Sequence, residues 1–161
     1  MTDQTLVDAL RESRLGAELS PDQITTLAGH LGFRDLERGD VLVHQGTSDN
    51  HLYVIVEGTL GAIRASGTAE PVTLVTLTAG DLVGELSFID ETPHYASLVA
   101  TSPTRVFGLE RQRLEALLST EPLIVYRVMR AIVRAVHEIQ RRISMHATEL
   151  TNYIYKQHGK Y

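Results

Sequence analysis

The sequence predicts an α+β chain: two short helices, then an antiparallel β-sandwich or small barrel, then one long C-terminal helix. Three observations carry that expectation. Short β-branched runs alternate with glycine turns between about Phe33 and Glu110. Helix-forming residues at helical spacing flank this region on both sides. The last flank runs from Pro122 to about Gln157 with no internal glycine or proline.

The first segment, "TLVDALRESRLGAELSPDQITTLAGHL", places Leu6, Leu10, Ile24, Leu27 and Leu31 at helical spacings. Within it, "SPDQ" supplies an N-cap serine, a proline at the first helical position and an acid, so two short helices fit. From Phe33 the texture changes. Strands are expected at "VLVH" from Val41, "LYVIVEGTLGAI" from Leu52, "VTLVTL" from Val72, "DLVG" from Asp81, "SLVA" from Ser97 and "RVFGL" from Arg105. Gly39, Gly46, Gly58, Gly67, Gly80 and Pro103 punctuate them as turns.

Helix formers return at Glu110. "ERQRLEALLSTEP" predicts a short helix ending near Pro122, and the long helix follows. Counting from Val125, the positions Met129, Ile132, Val136, Ile139, Ile143, His146, Leu150 and Tyr153 alternate by three and four, which is a heptad seam. At about 1.5 Å per residue this helix would be roughly 50 Å long, more than a domain of this size covers. Its far half therefore needs another chain, and a homodimer with parallel helices is expected. His146 on that seam reads as a polar position setting register or as a pH-sensitive contact. The expected organisation is a domain over residues 1–121 and a dimerisation helix with its tail over 122–161.

A length of 161 residues with 43% hydrophobic composition suits one domain with a core and one appended element. Cysteine is absent, so disulfides and zinc-thiolate sites are excluded. The N-terminus carries acids and no apolar run of signal-peptide or membrane length, which predicts a cytoplasmic protein with no membrane association. The formal charge of −5 hides an asymmetry: acids outnumber bases up to residue 120, and bases lead from there on. An acidic body does not suit general nucleic-acid binding. DNA association through Arg127, Arg130, Arg134, Arg141 and Arg142 of the long helix is a minor alternative, weakened because these arginines do not share one stripe.

Seven histidines show neither an HExxH motif nor paired zinc spacing, so no metal site is expected. No P-loop, GxGxxG or Ser/His/Asp motif appears, and no enzyme is expected.

The stretch "GELSFIDETPHYAS", Gly84 to Ser97, carries the chemistry. Together with "FRDLERGDVLVHQGTSDNHLYVIVEGTLGAI", whose Gly39, Gly46 and Gly58 sit at turns, and the helices on either side, it resembles the cyclic-nucleotide-binding domain. The resemblance is to the sensor half of the catabolite activator protein superfamily and covers nearly the whole chain. It implies a jelly-roll-like antiparallel β-barrel, flanked by N-terminal helices and followed by a long dimerisation helix, with a phosphate-binding-cassette helix at "GELSFID".

In that family the cassette reads approximately Gly-Glu-Leu, six residues, then Pro-Arg-Ala-Ala-Thr/Ser. Glycine lets the backbone approach the phosphate, glutamate accepts from the ribose hydroxyl, arginine grips the phosphate and the last hydroxyl adds a donor. The resemblance therefore implies a ligand site at Gly84, Glu85, Leu86, Ser87, His94, Tyr95, Ala96 and Ser97, with Pro93 in register and Gln140 of the long helix near the base.

The arginine position is His94. Loss of a charge-assisted clamp of about 1.5–3 kcal/mol should weaken cyclic AMP by at least roughly ten- to hundredfold. An unperturbed imidazole is mostly neutral at pH 7 and recovers only part of this. Tyr95, where the family has alanine, either fills the pocket or offers a hydroxyl and a stacking face. Ile139 and Gln140 stand near where the family places polar residues that reach adenine.

Expected ligands are a weakly bound cyclic nucleotide or a cyclic dinucleotide, with haem a further option because some family members bind it. The chain stops at "TNYIYKQHGKY" without residues for a recognition helix. Sequence-specific DNA binding is accordingly not expected, and a protein partner is the expected output, for which the tail with Tyr153, Ile154, Tyr155 and Tyr161 is a candidate docking element or simply the end of the seam. The alternative function is a ligand-free dimeric interaction module whose degenerate pocket is plugged by Tyr95.

Overall fold

Capping chemistry decides where the first helices begin. The Asp3 side chain accepts from the Thr5 N–H at 2.9 Å and opens α1 (Gln4–Glu12). Ser20 opens α2 (Pro21–Ala28) with a capping box: its hydroxyl accepts from the Gln23 N–H, and the Gln23 side chain accepts from the Ser20 N–H. The computed structural model describes residues 3–158.

Eight strands follow: β1 (Leu31–Leu36), β2 (Val41–Val43), β3 (His51–Glu57), β4 (Thr59–Arg64), β5 (Val72–Thr78), β6 (Leu82–Val83), β7 (Ser97–Ala100) and β8 (Thr104–Glu110). The short helix α3 (Glu85–Asp90) interrupts them, and α4 (Arg111–Ala116) and α5 (Pro122–His158) close the chain. The strands form two four-stranded sheets, β1-β8-β3-β6 and β2-β7-β4-β5, in which every pairing is antiparallel. The sheets do not close into one barrel but stack in a jelly-roll-like manner, as the pattern of short strands anticipates. Gly58 makes the tight β3–β4 turn at φ +89°, where a Cβ would strike the backbone of Pro103 and Thr104.

The β1 segment was not among the predicted β-branched runs: "LGFRDL" has no β-branched residue and sets Arg34 beside Asp35. It forms because its register against β8, Leu31 opposite Leu109 through Leu36 opposite Thr104, sets Leu31 and Leu36 into the interior. The helix expected to reach Pro122 ends at Ala116. Beyond it the chain continues in tighter turns, with Leu117, Leu118 and Thr120 N–H groups each bonding three residues back.

Two apolar clusters result. One lies between the sheet carrying β3 and β8 and the helices, joining Leu10, Leu27, Leu52, Phe88, Phe107 and Ile132. The other lies between the sheets around Ile55, Leu60, Leu77 and Val106, and Ile139 of α5 packs against it. Each fully buried side chain of this size stabilises by about 1.5–3 kcal/mol.

The expected seam on α5 therefore divides. Ile132 is only 1% exposed inside the domain's own core, and Met129 and Val136, partly buried, pack against that core, so these positions already serve their own domain. The three-four alternation there is the face that a helix buries on its own domain, which has the same period as a coiled-coil seam. Further along, Ile143, His146 and Leu150 are exposed. The side chains of Tyr153, Ile154 and Tyr155 and the residues Lys160 and Tyr161 lie outside the described residues.

The long-helix arginines also meet partners within the chain. Arg127 donates to Gln23, Arg130 and Arg134 pair with Glu18, and Arg142 pairs with Asp81, while Arg141 is exposed. Among the described residues, no helix is long and apolar enough to cross a membrane.

Candidate functional site

The end of β6 turns sharply into α3. Gly84 adopts φ +81°, and a Cβ there would lie 3.1 Å from the His51 carbonyl oxygen, so glycine lets the chain pass this close to β3. The short α3 that follows buries Ser87 and Phe88 and leaves Leu86 and Ile89 exposed. Ser87 is an anchor rather than a free donor. Its hydroxyl donates to the Asp49 carbonyl and accepts from the Asp49 N–H, both at 2.7 Å.

Opposite α3, the loop of Thr92 to Ala96 is stitched to the β2–β3 loop through its main chain. The His94 N–H donates to the Thr47 carbonyl at 2.7 Å, and the Gly46 N–H donates to the His94 carbonyl at 2.8 Å. The His94 side chain is only 7% exposed, and its Nε2 lies 3.2 Å from Asp49 Oδ1. The other oxygen of Asp49 accepts from the Tyr53 hydroxyl at 3.2 Å. Burial, and then the Asp49 charge, push the Tyr53 phenol up to about 12, so it remains a donor at neutral pH.

An open cavity of about 210 Å³ lies over this framework. Its polar end holds Glu85 and His94, and its walls are aliphatic: Leu74 and Val75 from β5, and Ile139 and Ile143 from α5. Burial raises the Glu85 carboxyl above the usual carboxylate range; a hydrogen bond from its own backbone and then the nearness of His94 act in the opposite direction. Among the described residues no side chain donates a hydrogen bond to Glu85, and none lining the cavity is lysine or arginine.

Of the residues expected at the site, Gly84, Glu85, Leu86, Ser87, His94, Tyr95 and Ala96 line this one cavity. Ser97 lies just outside the lining, its hydroxyl accepting from the Gln45 N–H at 2.9 Å. Gln140 is exposed, and α5 presents its neighbours Ile139 and Ile143 instead. Tyr95 does not plug the pocket. It is 65% exposed at the rim, its ring lies 3.5 Å from the Arg64 guanidinium carbon, and its carbonyl accepts from Arg64 at 3.1 Å. This cation–π contact holds the ring outward and occupies the nearby guanidinium.

Sequence reasoning missed Asp49, Tyr53 and Arg64. Asp49 is a lone acid in a polar turn, and its partner His94 stands 45 positions further on, so nothing in local spacing marks the pair. Among the described residues no cluster of three or more His, Asp or Glu side chains is arranged to hold a metal ion.

A jelly-roll of two antiparallel sheets, with a short helix and loop framing a cavity under a long C-terminal helix, defines a ligand-pocket fold. Residues 33–121 match the sequence profile of the cyclic nucleotide-binding domain, more than half of the chain, and the chain belongs to that family. The cyclic AMP receptor protein of Thermus thermophilus is 26% identical over 136 residues, covering 84% of this chain and 63% of that protein. A cAMP-dependent protein kinase regulatory subunit of Hypocrea atroviridis is 26% identical over 109 residues, 68% of this chain and 22% of that one. Among solved structures, the Thermus thermophilus catabolite activator protein superposes with a TM-score of 0.68 at 26% identity, covering 84% of this chain and 63% of that one. The chain thus lies within the catabolite activator protein superfamily while spanning less than two thirds of the length of these relatives.

Proposed function

We propose that this chain is a ligand-sensing regulatory domain rather than an enzyme, and that its pocket binds a cyclic nucleotide weakly or takes an altered ligand. The observation that carries the reading is the pairing of His94 with Asp49 at the edge of an otherwise intact cavity. The cassette turn, Glu85 and the aliphatic walls stand together, while the position of the family's phosphate-gripping arginine holds an imidazole already facing a carboxylate. Relatives named as a cyclic AMP receptor and a kinase regulatory subunit support a regulatory role.

In this reading residues 1–121 sense the ligand, and α5 transmits its presence. Ile139 and Ile143 form one wall of the cavity, so a ligand that contacts them favours one placement of α5 over another and shifts the population. The exposed stretch with Ile143, His146 and Leu150 pairs with a second copy, and the resulting surface signals to a protein partner.

The test is calorimetric titration of cyclic AMP into the wild type and His94→Arg, both checked for the same unfolding midpoint. The variant should bind at least roughly tenfold tighter, because a guanidinium restores a charge-assisted contact to the phosphate. Absence of cyclic AMP binding to both proteins at millimolar ligand would sink the cyclic-nucleotide reading and favour an interaction module that works without ligand.

A further inference from the structure

We infer that the pocket selects an uncharged nucleoside, bound through its ribose hydroxyls, over the corresponding cyclic phosphate. The inference rests on the ligand-sensing reading above and narrows its ligand class.

Donors and acceptors decide the ligand class. Glu85 is a partly buried acceptor facing the cavity with no side-chain donor among the described residues. A ligand that satisfies it must bring O–H or N–H groups. The polar side chains near it are already committed. The Ser87 hydroxyl both donates to and accepts from the Asp49 backbone, and the His94 ring faces the Asp49 carboxylate.

A phosphate has the opposite needs. It brings acceptors and a negative charge into a site that already holds the Glu85 carboxyl, with Asp49 behind His94, and no lysine or arginine is among the described lining residues. Arg64, beside the rim, is stacked on Tyr95 and bonded to its carbonyl, and Arg142 of α5 is paired with Asp81. Backbone N–H groups at the start of α3 favour an anion, but this helix has only six residues and its N–H groups carry no net charge to offset the desolvation of one. A ribose diol meets the acceptor that phosphate would repel.

The remainder of the cavity suits the remainder of a nucleoside. Leu74, Val75, Ile139 and Ile143 make an aliphatic slot, open at Tyr95, for a flat heterocycle. Nothing in that slot demands a particular base.

Adenosine, guanosine, 2′-deoxyadenosine and 3′,5′-cyclic AMP would be titrated into the wild type, Glu85→Ala and His94→Arg proteins by calorimetry, with line-broadening NMR as a second readout. The wild type should bind adenosine or guanosine at least about tenfold more tightly than cyclic AMP, since removing an uncompensated charge exceeds the strength of one hydrogen bond. 2′-Deoxyadenosine and the Glu85→Ala protein should each lose about five- to tenfold or more. Cyclic AMP binding as tight as nucleoside binding overturns the inference and leaves the ligand-sensing reading in place. So does a wild type that binds no nucleoside while His94→Arg binds cyclic AMP. If no protein binds any of the four, the inference and the cyclic-nucleotide reading fall together.

Discussion

Arg142 on α5 grips the carboxylate of Asp81 at two points, Nη2 to Oδ1 at 2.6 Å and Nη1 to Oδ2 at 3.2 Å. Asp81 is only 2% exposed and stands three residues ahead of Gly84, where the chain turns into the cavity. It also accepts from the Thr78 N–H at 2.9 Å, and Arg14 comes within 3.5 Å from the turn after α1. One buried carboxylate thereby ties the N-terminal segment and the long helix to the strand that leads into the pocket.

Removing Arg142 should loosen that tie. Arg142→Ala strips the direct counter-charge from a buried acid but leaves Arg14, so we expect a loss of about 1.5–3 kcal/mol in urea unfolding. A change below about 0.5 kcal/mol would show that water or Arg14 replaces it fully. Hydrogen exchange in α5 beyond Ala135 should rise in the same variant.

The Glu85 carboxyl gives a pH signature of definite sign. Burial raises it in the folded state above the ordinary carboxylate range, so the folded protein binds more protons than the unfolded chain across the interval between the two values. Its contribution is fully present below the unfolded value and is lost as pH rises through the folded one. Glu85→Gln should therefore stabilise the protein at pH 7 while changing little at pH 4. Equal effects of the substitution at both pH values, in denaturant unfolding, would contradict this.

Asp49 holds two side chains at once. In Asp49→Ala the His94 ring and the Tyr53 hydroxyl each lose their partner, and the protein should lose about 1–3 kcal/mol. The Tyr53 phenol should titrate lower than its value of about 12, since the charge of Asp49 is one cause of that rise after burial. Ultraviolet titration of the phenol reads this directly.

Much of this arrangement is legible in the residues themselves. The strands starting at or beside Leu52, Val72, Ser97 and Arg105 follow from β-branched runs between glycines, and α2 follows from "SPDQ". The cassette turn is legible because glycine, acid and proline keep a fixed spacing. What local pattern does not reveal is pairing across distance. Asp49 meets His94 only when β2–β3 folds over the cassette loop, and Asp81 meets Arg142 only when α5 crosses the strand edge. Ile132 illustrates a different limit. A helical stripe of apolar residues has the same period whether it faces its own domain or a second chain, and here the first half of α5 faces its own.

The proposed pairing of two copies rests on the far half of α5. Ile143 and Leu150 are 48% and 64% exposed, seven residues apart on the same face. Leu150→Glu, distant from the domain core, should shift sedimentation equilibrium from dimer toward monomer by about tenfold or more in dissociation constant, with the unfolding midpoint of the domain itself unchanged. A wild type that sediments as a monomer at all concentrations would refute the pairing.

The main chain at position 94 is held in both directions by Gly46 and Thr47, independently of which side chain it carries. The genetic code separates histidine from arginine by a single nucleotide change. If the proposed preference for an uncharged ligand holds, position 94 is a place where one mutation exchanges that preference without refolding the loop that presents it. Lineages descending from one ancestral receptor could cross between charged and uncharged messengers in a single step, and could return by the same route.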